Sequence, residues 1–114
     1  MRLSEIADML DEIGIPVAYR AFEKDDVNPP PAPPFICYLL PDSNPEIADD
    51  INYAKIEELD IELYTSFKDF ELENTIENVL TSHDIAFTRE ETYLSDERVQ
   101  MTTFITEVLI NGSE

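Results

Sequence analysis

Residues 51–67 read INYAKIEELDIELYTSF, and this stretch decides the fold class. Ile51, Tyr53, Leu59, Ile61, Leu63 and Phe67 share one parity, while Asn52, Glu58, Asp60, Glu62 and Ser66 share the other. Side chains of a strand alternate between its faces, so the pattern predicts a long strand with one face on a core and a charged face outside. Lys55 and Glu57 interrupt the apolar set, which places a bend or bulge near them.

On the N-terminal side, Phe35–Leu40 (FICYLL) is a short apolar run between prolines and reads as a buried strand. Residues 41–50 (PDSNPEIADD) are turn-forming and acidic, and predict an exposed loop. Pro29, Pro30, Pro31, Pro33 and Pro34 dominate residues 24–34 and predict a stiff, extended path without backbone donors. That segment reads either as a rigid connector between two strands, the simpler case, or as a proline-rich ligand for a partner. Val17–Phe22 is short and β-prone. Before it, Leu3, Ile6, Ala7, Leu10 and Ile13 keep helical spacing, with Ser4 as the expected cap and Gly14 and Pro16 as the stop.

On the C-terminal side, Asp69 is placed to cap a second helix, with Glu71 and Glu73 in its first turn. Its expected apolar stripe is Leu72, Ile76, Val79, Leu80 and His83. Ala86–Leu94 and Val99–Ile110 then predict a hairpin about a polar Ser95–Arg98 turn, and Asn111–Glu114 a frayed tail. The order α-β-β-β-α-β-β over residues 1–114 implies one α+β domain with a mostly antiparallel or mixed sheet and two helices.

The chain carries 26 Asp and Glu against 7 Lys and Arg, a formal charge of −19. Nucleic acid and anionic membranes share that sign, so no specific nucleic-acid binding and no membrane association are expected. Residues 1–20 lack a basic-then-apolar signal pattern, and no apolar run reaches the roughly 18 residues of a spanning helix. The expected setting is the cytoplasm, and the single Cys37 agrees with a reducing one.

Chemistry is sparse. His83, the only histidine, lies on a helix stripe without a Ser or Cys motif to serve and reads as structural. Cys37, set among Phe35, Ile36, Tyr38 and Leu39, reads as a small core residue and not a reactive thiol. Glu58, Asp60 and Glu62 repeat along one strand face at roughly 7 Å, too far apart to share one cation. Asp42, Asn44, Glu46, Asp49 and Asp50 form a looser cluster without EF-hand spacing. Gly14 and Gly112 are the only glycines, which leaves no phosphate-cradling loop. No enzymatic activity, metal or cofactor is expected.

Four segments carry a resemblance: LSEIADMLDEIGIPVAYRAF, the proline-rich hinge before PPFICYLLP, INYAKIEELDIELYTSFKDFELENTIENVL, and ETYLSDERVQMTTFITEV. In pattern and order they resemble the tail terminator, or tail-completion, proteins of siphophage and Gram-positive prophage morphogenesis clusters. The resemblance spans nearly the whole chain but rests on no diagnostic residue, so no site is carried over. It implies an α+β structural subunit that forms a ring, typically of six, on the last ring of the tail tube. The implied partners are other copies of itself, the major tail protein and the head–tail connector, in the host cytoplasm during assembly and then in the virion tail.

A negative lumen would repel DNA over about 8 Å at physiological salt and let the duplex slide. Asp42, Glu46, Asp49, Asp50, Glu58, Asp60 and Glu62 are the candidates for such a lining or interface; a solvated outer face is the equal alternative. The same charge opposes ring closure and predicts a monomer until the tube end templates it. A competing reading is an acidic mimic of DNA that inhibits a nuclease or DNA-binding protein, although acids spread over helices, strands and loops suit it less.

Overall fold

The computed structural model describes residues 2–22, 31–41 and 54–111. All but the first residue of the expected loop at 41–50, the first residues of the long strand, most of the proline-rich segment and the last three residues of the tail lie outside them. Along the chain the elements are α1 (Leu3–Asp11), β1 (Val17–Tyr19), β2 (Phe35–Leu39), β3 (Ala54–Thr65), α2 (Phe70–Ser82), β4 (Phe87–Leu94) and β5 (Val99–Asn111). The class is the expected α+β, with two helices and five strands among the described residues. The five strands lie in the spatial order β1-β2-β3-β5-β4. β1 runs parallel to β2 and every other pairing is antiparallel, so the sheet is mixed.

β3 is the spine of the sheet. It pairs with β2 on one side and, from Ala54↔Asn111 to Thr65↔Gln100, with β5 on the other. That register advances without a slip, so of the bend or bulge expected near Lys55 and Glu57, no bulge occurs among the described pairs. Both positions lie on the inner parity, opposite Ile110 and Val108, so the interruption of the apolar set is no shift of register. Leu59, Ile61 and Leu63 are fully buried, as the alternation predicts. Phe67 departs from the pattern: β3 ends at Thr65, and the ring two residues beyond is 64% exposed.

Both helices cover the inner face. Ile6, Met9 and Leu10 of α1 and Ile76 and Leu80 of α2 meet Ile36, Tyr38, Leu59, Ile61, Leu63, Phe104, Val108 and Ile110 in one core. All the strand residues of that core are of the inward parity in the register, so among the described residues both helices pack on one side of the sheet.

The helix ends differ in detail from expectation. Arg2, not Ser4, caps α1, and its amide donates to Glu5 Oε1 at 2.7 Å. Gly14 stops the helix with φ +90°, a conformation that costs a Cβ-bearing residue strain. Asp69 caps α2 as expected, accepting from the Leu72 amide at 3.0 Å. His83 does not complete the apolar stripe. It is the C-cap of α2, where the backbone leaves the helix, and its ring turns outward to Glu12 Oε2 at 3.0 Å.

Candidate functional site

Three of the predicted acidic positions stand on the sheet face opposite α1 and α2. Glu58, Asp60 and Glu62 are outward residues of β3, and each is half-buried between its neighbours on adjacent strands. Asp60 lies between Leu39 of β2 and Ile105 of β5, and Glu62 between Cys37 and Thr103. Glu58 directly faces Glu107. Like charges opposed across an antiparallel pair are destabilising, so this pairing works against the sheet's own stability. Asp42, Glu46, Asp49 and Asp50 lie outside the described residues.

Two acids of this face are missed by a reading of β3 alone. Glu107 and Glu90 point the same way from β5 and β4, Glu90 opposite Thr103. Alternation along β4 and β5 is the signal that could have found them. Among the described strand residues, no Lys or Arg holds an outward position. An open groove of about 620 Å³ runs past Glu58, Glu107, Ile105, Thr88, Phe87 and Asp84 at the β4 margin. Beside it, Ile56 and Leu109 pair across the strands and remain 68% and 50% exposed. The outer face is thus acidic and apolar together.

Its other end is covered by rings. Phe35 stacks on Tyr64 with centroids 4.8 Å apart, and Phe22 meets Phe35 edge-on. Tyr64 donates its hydroxyl to Glu62 Oε1 at 2.9 Å; burial, then that bond and the Glu62 charge, push the phenol well above its usual range. Burial, with Glu62 nearby, also pushes the Cys37 thiol up. A raised thiol pKa means little thiolate at neutral pH, so Cys37 is a poor nucleophile here.

A second cluster lies on the inner side, where α2 meets the β4–β5 hairpin. Glu73, only 1% exposed, accepts from Lys68 Nζ at 2.9 Å, Arg89 Nη1 at 3.3 Å and Thr102 Oγ1 at 3.3 Å. Arg89 also bonds Glu77 at 2.7 Å, and Lys68 bridges to Glu91, which takes a further bond from Gln100 Nε2 at 3.3 Å. With both its oxygens occupied by donors, Glu73 fastens the helix to the sheet. Sequence reasoning gave it only a place near the helix dipole. Lys68 further sits 5.1 Å from the Phe70 ring centroid, and Phe70 and Tyr93 are 68% and 58% exposed at this margin.

Among the described residues, no group of three or more His, Cys, Asp or Glu side chains converges to hold a metal ion. None of the helices there is long and apolar enough to cross a membrane. Compared with known proteins, the chain matches no protein-family model, no curated protein and no solved structure.

Proposed function

We propose that this chain is a structural subunit of phage or prophage tail assembly, a tail-terminator-like protein. In that role, copies of it close into a ring, of six on the resemblance drawn above, at the end of the tail tube and offer a docking face to the head connector. The observation that carries the reading is the acidic outward face of the sheet. Helices pack on one side of the sheet, while Glu58, Asp60, Glu62, Glu90 and Glu107 stand on the other, with no Lys or Arg at an outward position among the described strand residues. A lumen lined this way repels the DNA that passes through it, and the exposed Ile56–Leu109 pair supplies apolar contact for a neighbouring subunit. The partners of this reading are further copies of the chain, the major tail protein and the head–tail connector.

The test mixes the purified chain with tail-tube ends. A ring at the tube terminus in electron micrographs, with loss of the free species, is the expected result; a free species undiminished by tube ends sinks the proposal. A second reading gains from the same face. Five acids gathered on one side of a sheet also suit a mimic of DNA that occupies a nuclease or DNA-binding protein. Tight binding to such a protein, lost at high salt, would select it.

A further inference from the structure

We propose that the free edge of β4 pairs with the same edge of a second copy, antiparallel, about a two-fold axis at Glu90. β4 closes one margin of the sheet, its eight residues pair with β5 without a slip, and Thr88–Tyr93 are exposed along it. It holds no proline and no bulge, two of the usual devices against edge pairing. The remaining device is charge, in Arg89, Glu90 and Glu91, and here charge is arranged to attract.

Residues 87–93 read FTREETY, which is nearly self-complementary about Glu90. A continuous sheet keeps inward residues opposite inward residues, so only registers of one parity are available. With the axis at Glu90, Arg89 faces Glu91 of the partner copy, and Glu91 faces its Arg89. Thr88 then meets Thr92 and Phe87 meets Tyr93, each twice. Opposite charges, paired threonines and paired aromatics are the favourable cross-strand sets, and Glu90 against Glu90 is the one adverse contact. An axis at Arg89 or at Glu91 would oppose two like charges and break both Arg–Glu pairs.

The side chains are already held for this. Arg89 is fixed by Glu77 and Glu73, and Glu91 by Lys68 and Gln100. Pairing would join the two networks into one row of alternating charge from α2 of one protomer to α2 of its partner. A two-fold contact closes on itself and forms a dimer, not a filament. The charge of −19 on each copy opposes approach, so the dimer is favoured by salt. This inference is independent of the ring reading and concerns the chain without tail tubes.

Sedimentation of the free chain should show the dimer fraction rising several-fold between roughly 20 mM and about 300 mM salt. Cross-linking then reads the register. Under mild oxidation Glu90→Cys should link to itself, because its two copies lie opposite one another. Thr88→Cys and Thr92→Cys should each stay monomeric alone and link when mixed; wild type, with Cys37 buried, should not link. Equal linking at all three positions, or a monomer at every salt concentration with no linking of Glu90→Cys, would overturn the proposal.

Discussion

Glu73 is a carboxylate taken out of water and given two cations and a hydroxyl in exchange. Its partners Lys68 and Arg89 are 30% and 41% exposed and can rehydrate when it is removed. Glu73→Ala should therefore cost the lower range of a broken charged bond, about 1–3 kcal/mol, read by urea unfolding. Glu91 is exposed, and its hydrogen bond to Lys68 holds its carboxyl below the usual range. Burial works against the Lys68 ammonium, but its bonds to Glu91 and Glu73 outweigh that and raise it. The depressed acid contributes stability above the ordinary carboxylate pKa of about 4.3 and loses it as pH falls through its lower folded value. The raised lysine contributes below about 10.4 and loses it as pH rises through its higher folded value. Glu91→Gln should hence melt below wild type near neutrality, and the gap should close at both extremes. A gap constant from acid to alkali would mean that the pair has no part in stability.

At the scale of elements, α2 has a cap, a buried stripe and an ionic clamp, and each is separable. Asp69→Ala removes the acceptor of the Leu72 amide and should cost about 1 kcal/mol in chemical denaturation, with the fold intact by circular dichroism. No change on that substitution would show that water replaces the cap without cost. β3 shows how far an element can be read from its letters. The alternation from Glu58 to Leu63 was legible because burial on a sheet has a period of two. Phe67 was not, because parity says nothing about where pairing stops, and β3 loses its partner after Thr65↔Gln100. His83 departs from its expected place on the apolar stripe for a like reason: helical spacing reaches it, but the helix ends at Ser82.

For the whole molecule the governing quantity is charge. A formal −19 makes each folded chain repel itself, and compaction brings those charges together. Added salt screens this over about 8–10 Å, so the melting temperature at neutral pH should rise from low to moderate ionic strength. A fall would imply that local ion pairs such as Lys68–Glu91 outweigh the global repulsion. The same field bears on assembly: any contact between copies, the proposed ring or the β4 pair, works against it and must be local and well matched.

Local pattern alone determined that this chain builds an amphipathic sheet with helices, that its surface is acidic, and that Glu58, Asp60 and Glu62 share one face. Those follow from the order of residues along a strand and need no partner. Only the tertiary structure decided that Glu58 faces Glu107, that Glu73 gathers Lys68, Arg89 and Thr102, and that β4 is left at the margin. These are choices of register and strand order between segments distant in sequence, set by how the whole inner face packs, and periodicity within one segment carries no information about them.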